Sequence, residues 1–181
     1  DINDKPSRAM YHILLIAMTE NARREINRIM SIANTDGYYY KPRIDLNLLL
    51  SLPADEVVVT TACIAGRMFK EDWEEKFLKP VYKHFGDNFY LEVQSHVDHD
   101  QAEYNRKILE VHRQYGISII HANDSHYIYP EDAKYRDLFL KAKGIVYEEE
   151  GGFCLDYPDS DEIYKRYKQQ GVLTEDEVTE A

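Results

Sequence analysis

Apolar positions along this chain follow two periods in turn. Tyr11 to Met18 is an unbroken apolar run of strand length. Thr19-Glu20-Asn21 then offers a helix N-cap, and Ile26, Ile29, Met30 and Ala33 recur at helical spacing until Asp36-Gly37 ends the pattern. Tyr38 to Ile44 reads as a loop or extended segment, because Pro42 disfavours helix in the residue before it. Asp45 to Leu52 predicts a short helix capped by Asp45. Val57 to Thr61 is β-branched and follows an acidic turn, which predicts a strand. Asp72 to Phe85 is an amphipathic helix that Pro80 kinks or breaks. Phe89 to Gln94 is a third strand, Asp100 to Tyr115 a helix stopped at Gly116, and Ile117 to Ala122 a fourth strand. Pro130-Glu131-Asp132 opens a helix running to about Lys143.

Strand and helix alternating at this spacing predict βαβ units and a parallel sheet, hence an α/β fold. Four strands are too few to close an eight-stranded barrel, which leaves an open sheet or a portion of a barrel. The pattern weakens after Tyr147. Glu148-Glu149-Glu150-Gly151-Gly152 is a charged junction, Ser160-Asp161-Glu162 caps a helix through about Gln170, and Thr174 to Glu177 forms a capping-box sequence. No completed helix follows that box, and the expectation is an excerpt of a longer chain.

Composition narrows the class. The 181 residues suffice for one domain with a sizeable core. No apolar run is long enough to span a bilayer, and Asp1 to Pro6 is no signal peptide. The two cysteines, Cys63 and Cys154, lie far apart in sequence and imply no disulfide framework, so a reducing, cytoplasmic setting is expected. A net charge of −11 argues against a broad electrostatic grip on a nucleic-acid backbone. It is compatible with a site whose anionic substrate is held by cations.

The candidate chemistry sits where strands end. Asp124 and His126, two residues apart after the Ile117–Ala122 run, present a carboxylate and an imidazole together at the strand end where ligands and metals gather in parallel α/β folds. Both groups suit Zn²⁺, Mn²⁺ or Fe²⁺; Asn123-Asp124-Ser125 is equally turn chemistry. His12 lies among apolar neighbours, where an imidazole must be hydrogen-bonded or ligated. Cys63 follows the second strand beside the small residues Ala62, Ala65 and Gly66. Glu92, Gln94 and His96 alternate with Leu91 and Val93, giving the third strand a polar face that is either solvated or inward and functional. His99 and His112 read as surface residues, and His121 is ambiguous. Lys41 and Arg43 beside Tyr38, Tyr39 and Tyr40 mix cations with aromatics, which suits phosphate and base stacking or domain packing.

Together these segments resemble a known family. Tyr11 to Ala17, Gly37 to Asp45, Ala62 to Gly66, Phe89 to His96 and Ala122 to Tyr127 are similar, in order and spacing, to the polymerase-and-histidinol-phosphatase (PHP) domain of bacterial replicative polymerases of the DNA polymerase III alpha class. The Tyr38 to Asp45 stretch is typical of the polymerase branch. The resemblance implies the C-terminal portion of a distorted seven-stranded β/α, TIM-like barrel. It implies a partial PHP domain over residues 1–147 and, over 148–181, a junction toward a polymerase core. It places His12, Cys63, Asp124 and His126 on metal-ligand positions, with Glu92 and His96 behind them or facing substrate, and Tyr40, Lys41 and Arg43 as contacts to nucleic acid or to another domain. The implied cofactors are divalent ions (Zn, Mn or Fe, with Mg in the parent polymerase). The implied partners are DNA, through that polymerase, and other replisome subunits, with no membrane. The implied chemistry is 3′→5′ exonucleolytic cleavage, retained in some members and lost in others.

The His-x-His motif that opens the family pattern, and the histidine, aspartate and glutamate ligands after it, have no counterpart here. The chain alone is therefore expected to hold at most half a metal site and to lack appreciable nuclease activity. Three functions remain open: the PHP portion of a replicative polymerase, a free-standing phosphoesterase acting on a small ester, and a non-catalytic module that packs against a polymerase or binds a proofreading subunit.

Overall fold

The structure, a computed structural model, describes residues 9–145 and 152–181. The Glu148 to Gly151 part of the acidic junction lies outside the described residues. The chain divides into two compact units, Asp1–Tyr90 and Leu91–Ala181.

In the first unit, β1 (Leu14–Ala17) pairs antiparallel with β2 (Val57–Thr60), with Leu14 opposite Thr60 and Ala17 opposite Val57. The expected all-parallel sheet is corrected at this edge: Met18 N donates to Glu56 O and extends the antiparallel ladder. Despite its apolar sequence, β1 leaves Leu14 and Ile16 exposed. β2 is buried, with Val57 and Val59 fully so, and it pairs in parallel with the start of β3 (Phe89–Val93) through Val59–Phe89 and Thr60–Tyr90.

Local chemistry fixes the helices of this unit. α1 (Glu20–Asn34) starts where Thr19 Oγ1 accepts from Ala22 N at 3.0 Å, and it buries Ala22, Ile29 and Ala33. α2 (Leu46–Leu49) starts where Asp45 accepts from Leu48 N at 2.9 Å. The expected break at Pro80 takes the form of a π-helical stretch, Glu74–Leu78, that runs into α3 (Lys79–Phe85). Pro80 has no N–H for an intrahelical bond, and the wider turn before it absorbs that loss. Leu78, Val81 and Phe85 from this segment are core residues of the unit.

The second unit begins with the rest of β3, which pairs in parallel with β4 (Ile119–His121) from Leu91–Ile119 to Val93–His121. The four strands thus follow the order β1-β2-β3-β4 in a mixed, mostly parallel sheet. α4 (His99–Tyr115) is capped by the Asp98 carboxylate and ends at Gly116, whose φ of 67° is the left-handed conformation that glycine adopts without a Cβ clash. α5 (Ala133–Ala142) follows a single 3₁₀ turn at Pro130–Asp132. α6 (Ser160–Gln170) is capped by Asp159, and α7 (Glu175–Glu180) carries both reciprocal bonds of the Thr174/Glu177 capping box. Ile108, Leu109, Ile117, Ile119 and Tyr167 fill this unit's core. No helix among the described residues is long and apolar enough to cross a membrane.

Candidate functional site

The candidate donors assemble in pairs, one pair in each unit. In the first unit the chain leaves β2 through a strained turn. Ala62 takes a φ of 56° and its N–H donates to Thr60 Oγ1 at 3.1 Å, while Gly66 N donates back to Cys63 O at 2.7 Å. A Cβ on Gly66 would stand 2.3 Å from Thr61 O and 2.9 Å from Cys63 O, so the turn requires glycine. His12 N donates to Ala65 O at 3.1 Å, which draws the segment before β1 against this turn. The result is Cys63 Sγ 3.5 Å from His12 Nδ1. His12 is exposed rather than enclosed by its apolar neighbours.

Beside this pair lies a cleft of about 770 Å³ that includes His12, Lys41, Arg43, Arg67 and Phe77 in its walls. Tyr39 and Tyr40 meet edge to face with ring centroids 4.7 Å apart, and the Arg43 guanidinium lies 4.9 Å from the Tyr39 ring centre. Tyr40, itself exposed, holds a φ of 63°. Within the loop, Tyr39 thus packs against both Tyr40 and Arg43.

In the second unit β4 ends at His121, so Asp124 and His126 belong to the loop that follows and not to the strand. That loop is pinned by a distant segment. His126 N and Tyr127 N both donate to Leu155 O, Ser125 Oγ donates to Asp156 O at 2.9 Å, and Tyr157 N donates to Ile128 O. The pinning brings Asp124 Oδ1 within 3.4 Å of His126 Nε2, with both side chains about two-fifths exposed (41% and 42%). The pinning segment is anchored in turn by the Asp156–Arg166 ion pair, in which Arg166 Nη2 donates to both carboxylate oxygens at 2.8 and 2.7 Å. Burial opposes the Arg166 charge, and Asp156 more than offsets it, so the guanidinium is held more firmly protonated than usual.

The polar face of β3 turns inward. Glu92, Gln94 and His96 are all buried, and Gln94 Nε2 donates to Glu92 Oε1 at 3.0 Å. His96 stacks on Phe153, and its Nδ1 accepts from Cys154 N at 3.1 Å. Burial holds the His96 pKa below the ordinary histidine value, with Asp124 the largest opposing charge. His121 is resolved as a structural residue: Nδ1 lies 2.7 Å from Tyr167 Oη and Nε2 lies 2.9 Å from Asn123 Oδ1. His99 is exposed, and His112 Nδ1 lies 2.8 Å from Ile117 O at the end of α4. Sequence reasoning passed over Phe153, Asp156 and Arg166. The only local signal was an arginine one helical turn after Glu162.

Two donors fall short of the three protein ligands that a catalytic zinc keeps. Among the described residues no group of three or more His, Cys, Asp or Glu side chains stands close enough to hold a metal ion.

Comparison with known proteins decides the family. The PHP domain family matches residues 1–96, more than half of the chain. The chain belongs to the PHP domain family. Relatives of this PHP chain include the DNA polymerase III subunit alpha of Borreliella burgdorferi, 33% identical over 144 residues that make up 76% of this chain. The subunit of the same name from Aquifex aeolicus is 33% identical over 142 residues, and that from Thermus aquaticus 29% over 136. The PHP chain spans only 12%, 12% and 11% of those relatives' lengths.

Proposed function

We propose that this PHP chain is part of a replicative DNA polymerase of the DNA polymerase III alpha kind and serves DNA replication in the cytoplasm. In this reading residues 1–147 are a portion of a seven-stranded β/α barrel, and residues 148–181 lead toward the polymerase core. DNA and other replisome subunits are its partners through that larger protein. The names carried by its relatives support the reading.

The imidazoles, thiolate and carboxylate are the right donor types for Zn, Mn or Fe, and Mg is the ion expected at the polymerase centre. A divalent ion would supply a hydroxide near neutral pH and charge stabilisation for a phosphodiester. The donors of this chain do not complete such a site by themselves, so no cleavage step is assigned to them. The exonuclease or phosphoesterase activity belongs to the longer protein, where further ligands join these pairs; within this chain the same residues act as scaffold.

An exonuclease assay on a primer with a terminal mismatch tests this, with Mn²⁺ or Zn²⁺ supplied and a chelator control. The expected result is no appreciable cleavage by the chain. Robust, chelator-sensitive cleavage that disappears in Asp124→Ala would overturn it. Turnover of a small phosphate ester such as histidinol phosphate would instead support a free-standing phosphoesterase.

A further inference from the structure

Helix α5 turns its apolar side chains outward. Among the described helices of eight residues or more it is the one with no buried residue. Tyr135, Leu138 and Phe139 are 62%, 66% and 59% exposed. A surface helix ordinarily turns such residues toward its core. In α5 the half-buried residues are Ala133, Arg136 and Leu140, which share a different side, and on that side the helix rests.

Helical geometry sorts the remaining positions. At about 100° per residue, Tyr135, Leu138, Phe139 and Ala142 fall on one stripe. Lys134 and Lys141 run along one margin of that stripe, and Arg136 and Lys143 along the other. Asp137 lies away from it. Two of the cations border the stripe directly: Lys134 Nζ is 4.9 Å from the Tyr135 ring centre, and Lys143 Nζ is 5.6 Å from that of Phe139. Four cations to one carboxylate reverses the balance of the whole chain, whose net charge is −11.

A basic amphipathic helix suits an anionic lipid surface, a nucleic-acid strand or an acidic amphipathic helix. The observations favour the last. Stacked bases would have to displace the ammonium groups from Tyr135 and Phe139, and Leu138, the most exposed of the three, offers no ring. Ten residues make a short membrane anchor, and the acidic remainder of the chain would be held against an extended like-charged surface. Two copies of α5 facing each other would set basic margin against basic margin. A helix with apolar residues at i, i+3, i+4 and i+7 and carboxylates on both flanks meets the stripe with its apolar face and the four cations with its charges.

We propose that α5 is a docking strip for an acidic amphipathic helix of another polypeptide. Tyr135, Leu138 and Phe139 supply the apolar contact, and Lys134, Lys141, Arg136 and Lys143 set partner charge and register. The inference rests on α5 alone and not on the replicative reading, so it stands or falls separately from the cleavage assay above.

The test is a titration of the 181-residue chain with a fluorescent peptide helix that carries leucines at i, i+3, i+4 and i+7 and glutamates on both flanks. The expected result is salt-sensitive binding that Leu138→Asp weakens about tenfold, the loss of one apolar side chain from the contact. Leu138 is exposed, so the urea midpoint of that variant is expected to stay unchanged. A peptide with lysine in place of every glutamate is expected not to bind the unmodified chain, and to bind Lys134→Glu/Lys141→Glu in preference to the glutamate peptide. Oligothymidylate and phosphatidylserine vesicles are expected to leave α5 unoccupied. Failure of the glutamate peptide to bind, binding that Leu138→Asp leaves intact, or equal binding of both peptides would overturn the proposal. So would binding of oligothymidylate or vesicles, or self-association of the chain, that Leu138→Asp abolishes.

Discussion

Replacing Arg166 by methionine is expected to loosen the loop that carries Asp124 and His126 without touching either residue. Arg166 and Asp156 are both deeply placed, with side chains 8% and 10% exposed. Arg166 Nη2 reaches both Asp156 oxygens, and its Nε reaches Glu162 Oε1 at 3.2 Å on a more exposed carboxylate. The Glu162 contact is of the half-exposed kind and contributes less than about 1 kcal/mol. The Asp156 contact decides the outcome, because methionine fills much of the volume but strands a buried carboxylate. Breaking a buried pair from one side costs about 3–5 kcal/mol, a large share of a typical domain's stability of about 5–15 kcal/mol. Asp156 O holds Ser125, and Leu155 O holds the His126 and Tyr127 amides. Hydrogen exchange at those amides reads the effect locally, and urea unfolding reads it globally. The expected result is loss of His126 and Tyr127 protection with the Val59 amide unchanged. Arg166→Met/Asp156→Leu is expected to recover most of the stability, since replacing both partners by apolar groups removes the stranded charge. A loss below about 1 kcal/mol, or a double variant as unstable as the single one, would refute the anchoring argument.

Four further outcomes are expected. Thr19→Ala removes the acceptor for Ala22 N and the hydroxyl that donates to Glu56, and is expected to cost about 1 kcal/mol by urea unfolding; an unchanged midpoint would contradict the cap. Gly66→Ala places a Cβ against two backbone oxygens and is expected to cost about 1–3 kcal/mol while moving Cys63 off His12; an unaltered Cys63 alkylation rate would count against this. Gly37→Ala meets Arg43 O at 2.2 Å and is expected to disturb the Tyr38–Arg43 loop, visible as altered near-ultraviolet tyrosine signals. His121 has its pKa lowered by burial, so the unfolded chain binds the proton first. Stability is then full above the unfolded value of about 6.5 and falls as pH drops through it. A urea midpoint that fails to fall between about pH 7.5 and 5.5, or that falls as steeply in His121→Gln, would contradict this.

The elements were legible where their cause is local. Thr19, Asp45, Gly116 and Thr174 each act within four residues, and all four mark real helix ends. The direction of β1 was not legible, because an apolar run carries no record of whether its partner runs with or against it. The same gap hid the exposure of His12: alternation gives faces, and only the finished sheet says which face is covered. Pairing of Asp124 with His126 was foreseen from their spacing, but its cause lies about thirty residues downstream in Leu155 and Asp156. Glu92 and His96 were candidates from strand alternation and from the family resemblance. The distant partner that orients His96, Cys154 N, comes 58 residues later.

This chain carries two donor pairs, neither sufficient to retain a catalytic ion. Metal content of the purified 181-residue chain, after saturation with Zn²⁺ or Mn²⁺ and exhaustive dialysis, tests this most directly. The expected result is far less than one ion retained per chain. One or more ions held per chain, and lost in both Cys63→Ser and Asp124→Ala, would contradict it.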